Sequence, residues 1–274
     1  MKLSLVISAQ PTRYSDVAFV GDLEHTLGRL AQMGFDGVEL GIRDPQGLDA
    51  AALRAMLARH GLACPAISTG QAWIEERLSL TSPDERVRRA ASERIHRHIT
   101  LAAAMAGPAG PPMVMLGLIR GKRSEGVSDA QALAWLVEAL RECAAVSGRV
   151  GVRLVIEPIN RFEADFIHSA REGLALLERV GCDHMGLILD TFHMNIEEPS
   201  IEESIRLVGS RLFHFHVSDS NRWYPGAGHV DFAGVVRALA QIGYDGYLSG
   251  EFMARPDAET AARRMIAHMR PLLR

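Results

Sequence analysis

MGLILDT, residues 185–191, is an apolar run that stops at a carboxylate, Asp190. Three other short apolar runs carry an acid or imidazole at the same place: RLVIEP at Glu157, LFHFHVSD at His216 and GYLSGEF at Glu251. Burying such a group costs several kcal/mol unless it is paired or bound to a metal, so strands ending this way are not built for stability alone. The four residues together read as one divalent-metal site.

Working outward from these runs, β-rich segments alternate with longer helical patterns along the whole chain. Strands are expected at residues 3–8, 36–41, 62–69, 113–118, 153–158, 185–191, 212–219 and 246–252. Between them lie crossover helices such as DLEHTLGRLAQMG, closed by Gly34, and SPDERVRRAASERIHRHITLAAAMAG, with Ser82 as the expected N-cap and Pro83 at the first helical position. The cluster GPAGPP at 107–112 reads as a helix-to-strand loop. Near-continuous apolar strands in a βα repeat predict a closed parallel (β/α)8 TIM barrel; an open doubly wound sheet is the competing arrangement. GFDGVELG and GYDGYLSGEF each follow a helix-closing glycine and are read as carrying an acid at a strand end. In a barrel the site sits at the C-terminal ends of the strands, here the fifth to the eighth.

The chain has 274 residues with 47% hydrophobic content, which suits one large domain over 1–274. Thirty basic against 33 acidic residues leave a formal net charge of −3, so no broad positive field serves a nucleic acid. Three separated cysteines, Cys64, Cys143 and Cys182, form neither a disulfide framework nor a zinc knuckle. MKLSLVISAQ is too short in its apolar run for a signal peptide, and no stretch approaches a membrane span. A cytoplasmic, soluble protein without a membrane partner is the expectation.

Three carboxylates and one imidazole suit a hard or borderline cation, Mn2+ first and Mg2+ or Co2+ as alternatives, whereas structural zinc leans on thiolates. An acid that closes a strand often only caps the next helix; four at corresponding positions are poorly explained that way. Neither G-x-G-x-x-G nor a P-loop occurs, so no organic cofactor is expected and phosphorylated substrates are disfavoured.

Glu157, Asp190, His216 and Glu251, spaced by 33, 26 and 35 positions, sit within EPINRFEADFIHS, LDTFHMNIEE, HFHVSDSNRWYPGAGHVDF and GEF. This pattern resembles the ketose 3-epimerase group of the xylose isomerase-like barrels over the whole chain. KLSLVIS, TGQAW and GLIRGKR look most like its 5-keto-L-gluconate epimerase branch. The resemblance implies that Glu157, Asp190, His216 and Glu251 hold the metal, that Glu157 and Glu251 also exchange protons with substrate, and that Glu163, His193 and Arg222 bind the sugar. It also implies a homo-oligomer, dimer or tetramer.

Epimerisation beside a ketone needs two bases on opposite faces of a planar enediolate, with a Lewis acid on its oxygens. Arg120, beside Lys122 and Arg123 in GLIRGKR, is expected to clamp a substrate carboxylate, which would make the substrate a keto-sugar acid. Neutral ketoses such as tagatose, psicose or ribulose remain the alternative. So does an aldose–ketose isomerase on the same site; a metal nuclease on this barrel would need more ligands and a basic groove. His214 is expected to be a core histidine, Glu39 at the end of its strand either a contact to the substrate or to the residues behind the metal ligands or a structural hydrogen bond, His229 a loop brace, and Asp219 either a partner for Arg222 or a turn cap. Met33, Met56 and Met105 read as core filler.

Overall fold

The computed structural model describes residues 1–13, 17–123 and 126–273. Its strands are β1 Lys2–Ser8, β2 Phe19–Val20, β3 Gly37–Gly41, β4 Ala66–Ser68, β5 Met113–Leu116, β6 Leu154–Ile156, β7 Met185–Asp190, β8 Leu212–Val217 and β9 Tyr247–Gly250. All pairings are parallel, in the order β1-β3-β4-β5-β6-β7-β8-β9, and β9 returns to β1. The sheet is therefore a closed eight-stranded (β/α)8 TIM barrel, as the alternation predicted. β2 is the one strand not foreseen. It pairs with β1 at Ile7 and Ser8, beyond Lys2–Leu5 where β9 pairs, so it covers the top of that edge. Two residues are too short for any periodicity to show.

The helices are α1 Leu23–Met33, α2 Ala50–Arg59, α3 Gly70–Glu76, α4 Glu85–Ala104, α5 Asp129–Arg149, α6 Ala170–Val180, α7 Thr191–Glu197, α8 Ile201–Val208, α9 Phe232–Gln241 and α10 Ala258–Met269. Helix α4 starts later than expected. Its cap is Asp84, whose carboxylate accepts from Arg86 N, while Ser82 Oγ accepts only from Asp84 N in the preceding turn. A charged acceptor at the positive end of the helix is the stronger cap. Helix α1 is closed by Gly34 as read.

Alternation along the strands divides the core. Val114, Leu116, Leu154, Ile156, Leu187 and Leu189 point outward into the helix layer, while Met113, Met115, Val155 and Ile188 fill the barrel interior. Met33 and Met105 are buried in the outer layer and Met56 packs against it. The three cysteines are free. Among the described residues no helix is long and apolar enough to cross a membrane.

One irregularity sets the phase of β8. Leu187 faces Leu212 but the next residue, Ile188, faces His214, so Phe213 is an extra, bulged residue. From there Leu189 pairs with Phe215 and Asp190 with His216. The bulge sends Phe213 against the interior cluster and leaves His214 and His216 on the inner face, with Phe215 packed outside.

Candidate metal centre

Asp190 is the last residue of β7 and His216 the penultimate residue of β8, while Glu157 and Glu251 each follow directly on β6 and β9. These four adjacent strands bring one ligand atom from each residue within 4.8 Å of the others, and all four residues are buried. The sequence quartet is thus assembled at the C-terminal mouth.

The surrounding bonds aim these side chains. Asp190 Oδ1 accepts from Phe192 N at 2.9 Å and Ser218 Oγ at 3.1 Å. His216 Nε2 lies 2.9 Å from Glu39 Oε2. A carboxylate only accepts, so Nε2 carries a proton; Nδ1, 3.3 Å from Glu251 Oε2, carries one as well while the imidazole is charged, and would present its lone pair to a cation that took that proton's place. Glu157 Oε1, Asp190 Oδ2 and His216 Nδ1 are buried atoms without a hydrogen bond. Orphaned acceptors on three neighbours are what a cation would satisfy, and an oxygen-rich set with one imidazole fits Mn2+, Mg2+ or Co2+.

Electrostatics agree with that fit. Burial, then the charge of Glu251, pushes the Glu157 carboxyl well above the usual range. Burial also pushes Asp190 up to about 6. Burial opposes charge on His216, but Glu39 and Glu251 outweigh it and hold the imidazole well above its ordinary value. Without a cation the carboxylates are crowded, and protons take its place.

Glu39 is more than an isolated structural contact. It is buried inside β3, two residues before that strand's last residue, whereas Glu251 directly follows β9, so of the two repeats' acids only Glu251 stands past its strand. The single oxygen Oε2 accepts from both His216 and His214, each at 2.9 Å. Burial would raise the Glu39 carboxyl, yet the two imidazoles hold it below the carboxylate range. His214 is the expected core histidine, kept neutral by burial, with Nδ1 unpartnered.

Glu163, His193 and Arg222 do meet around the mouth. Arg222 Nη1 donates to Glu163 Oε1 at 2.5 Å, its guanidinium lies 4.6 Å from the Phe192 ring centre, and Nη2 is 4.0 Å from Glu251 Oε2. Asn160, overlooked in the sequence although it sits in EPINR, joins them: Nδ2 donates to Glu163 Oε1 at 2.9 Å and to His193 Nδ1 at 2.7 Å. That places the His193 proton on Nε2, 3.7 Å from Glu157 Oε1. Burial, with the Arg222 charge, holds His193 well below its ordinary pKa, hence neutral. Asp219 proves to be a turn cap, accepting from the backbone of Ser220, Gly226 and Val230. His229 braces the same loop through Ser220 Oγ.

Arg120 has partners other than the substrate carboxylate expected of it. It is buried on the 3-10 turn Leu118–Arg120, and its terminal nitrogens donate to the Phe166 and Ile167 carbonyls at 2.6 and 3.2 Å. Burial lowers its guanidinium to about 10. Arg123 is tied to Asp129 and Asp165. These cations brace the loop that carries Glu163 and are not among the residues lining the cavity. A cavity at the mouth is lined by Glu157, Glu251, Glu163, His193 and Arg222 on one side and by Gly41, Ser68, Gln71, Met115 and Leu118 on the other.

The comparisons agree with this architecture. Residues 27–272 match the family model described as xylose isomerase-like TIM barrel. An L-ribulose 3-epimerase of Mesorhizobium japonicum is 33% identical over 232 residues, 84% of this chain and 75% of that one. A 3-dehydro-D-guloside 4-epimerase of Escherichia coli is 29% identical over 245 residues, 86% of this chain and 88% of that one. A solved structure of an L-ribulose 3-epimerase superposes with a TM-score of 0.84 at 29% identity, covering 98% of this chain and 94% of that one. With its family model matched almost end to end and its homologues being epimerases, which are isomerases, the chain belongs to the xylose isomerase-like TIM barrel family, in the ketose 3-epimerase group.

Proposed function

We propose that the protein is a metal-dependent epimerase of a free ketose, inverting the carbon beside the carbonyl with two glutamates as bases. The observation that carries this reading is the pairing of Glu157 and Glu251, both buried, both lining one cavity and both within ligand distance of Asp190 and His216. Glu157, Asp190, His216 and Glu251 would hold the cation, Mn2+ being the best match to their donors. When bound, such an ion supplies Lewis acidity to an enediolate's oxygens and favours ionised carboxylates around it. One glutamate removes the proton next to the carbonyl and the other returns one to the opposite face. Neutral His193 offers its Nε2 proton to a substrate oxygen, and Arg222, aligned by Glu163 and Phe192, adds positive charge beside it. The keto-sugar acid inferred from Arg120 loses its support, because that guanidinium is spent on loop carbonyls. A neutral ketose is the better substrate class.

A second reading, epimerisation one carbon further along, is supported by the Escherichia coli relative. Deuterium incorporation from D2O into a panel of ketoses, followed by NMR, tests both. Exchange at carbon 3 with appearance of the epimer is expected, lost on the order of 10^2 to 10^4-fold in Glu157→Gln and in Glu251→Gln. Exchange at carbon 1 would mark an aldose–ketose isomerase, and near-normal exchange in either variant would remove the two-base scheme.

A further inference from the structure

The side of the cavity away from the carboxylates holds a polar group that nothing in the proposed chemistry uses. Gln71 is in the first turn of α3, directly after β4, and β4 lies four strands around the ring from β8. The side chain lines the cavity and is 2% exposed. Its orientation follows from its neighbours. The Ser8 hydroxyl donates its one proton to the Gln10 carbonyl, so toward Gln71 it can only accept, and it does so from Nε2 at 2.8 Å. The amide nitrogen is thereby held against β1, and Oε1 is left buried with no hydrogen-bond partner. Gly41 makes this arrangement fit: a Cβ there would stand 2.9 Å from Gln71 Nε2.

A buried amide oxygen without a donor is unfavourable until a ligand supplies one. Such an atom discriminates by chemistry. A hydroxyl can donate to it, a methyl leaves it unpaired, and a carboxylate brings only acceptors. Around it the lining is Met115 and Leu118, and among the described lining residues the cation is Arg222, on the opposite side with Glu163 and Glu251. Among the described lining residues, none beside Gln71 carries a positive charge to offset a carboxylate.

We propose that Gln71 is a specificity-determining residue: its side-chain carbonyl accepts a hydrogen bond from the hydroxyl at the end of the ketose farthest from the metal quartet. It selects a terminal hydroxymethyl group over a methyl or a carboxylate. The inference rests on the ketose epimerase reading and adds the substrate's distal end to it.

The test measures kcat/KM of the metal-loaded enzyme for a ketohexose, its 6-deoxy analogue and the keto acid carrying a carboxylate at carbon 6, in wild type, Gln71→Met and Ser8→Ala. Wild type is expected to prefer the ketohexose over both analogues by on the order of tenfold to a hundredfold. Gln71→Met should lose about that factor on the ketohexose and little on the 6-deoxy sugar, so that the two changes are not additive. Ser8→Ala, which frees the amide to turn, should erode the preference in the same direction. Equal losses on ketohexose and 6-deoxy sugar, or a wild-type preference for the acid, would overturn the assignment. If Gln71→Met does not fold, an unchanged preference in Ser8→Ala overturns it alone. Failure of wild type to turn over any of the three would instead sink the ketose epimerase reading.

Discussion

Asp190 divides its two oxygens between the protein and the site. Oδ1 is held by Phe192 N and Ser218 Oγ, and Oδ2 is left orphaned. Burial raises its pKa to about 6, above the range of an exposed aspartate in an unfolded chain. A group whose folded pKa is raised stabilises the fold fully below its unfolded pKa and loses that contribution as pH rises through the folded one. Metal-free wild type should therefore lose stability relative to metal-free Asp190→Asn between about pH 4 and pH 6, by roughly 2–3 kcal/mol if the shift is near two pKa units. Denaturant titrations of both proteins at pH 4.5, 5.5 and 7 check this; a pH-independent difference would mean that Asp190 is not a strained buried acid. Glu39 shows the same economy, with one oxygen fixing two imidazoles and so the face that His216 turns to the ligand position. In sequence it read as an acid at a strand end with a contact to the site or a structural hydrogen bond both open, because its partners stand 175 and 177 positions away.

Among the elements, β7 and β8 decide whether the histidines face the site. The bulge at Phe213 turns two consecutive side chains inward, and Gly186 on β7 gives the extra ring its space. A Cβ at Gly186 would stand 2.5 Å from Phe213 Cγ and 2.7 Å from the Arg211 carbonyl. Neither neighbour can move freely, since one fills the barrel floor and the other is backbone. Gly186→Ala is expected to destabilise by about 1–3 kcal/mol, the usual cost of overpacking a filled interior, seen as a lower urea midpoint with an unchanged slope. Wild-type stability would show that the bulge shifts without penalty. The eight strands were legible because each is an apolar run between turn residues. Their ends were less so: residues 62–69 read as one strand, but only Ala66–Ser68 pair as such. Hydrogen bonds to neighbours decide where pairing stops, and a single run does not contain them.

For the whole molecule, the quartet joins four consecutive staves, so a bound cation should act on stability as well as on rate. Chelation should abolish epimerisation and Mn2+ should restore it. A concentration of Mn2+ about 100 times Kd adds about 2.7 kcal/mol if only the folded state binds, a rise in Tm of roughly 5–10 °C. Calorimetry with and without the ion, in wild type and Asp190→Asn, reads this directly; undiminished turnover after exhaustive metal removal would end the metal-dependent scheme. The sequence by itself determined the barrel and the quartet. Both rest on local facts: apolar runs at βα spacing, and an ionisable group where each of four runs nears its end, which one closed sheet must bring to one mouth. Only the tertiary structure decided what the other polar residues do. Arg120 was as near the mouth in sequence as Arg222, yet one is spent on the Phe166 and Ile167 carbonyls and the other stands beside Glu251. A charged side chain's role is set by which acceptors surround it in space, and those come from segments that the chain brings together only on folding.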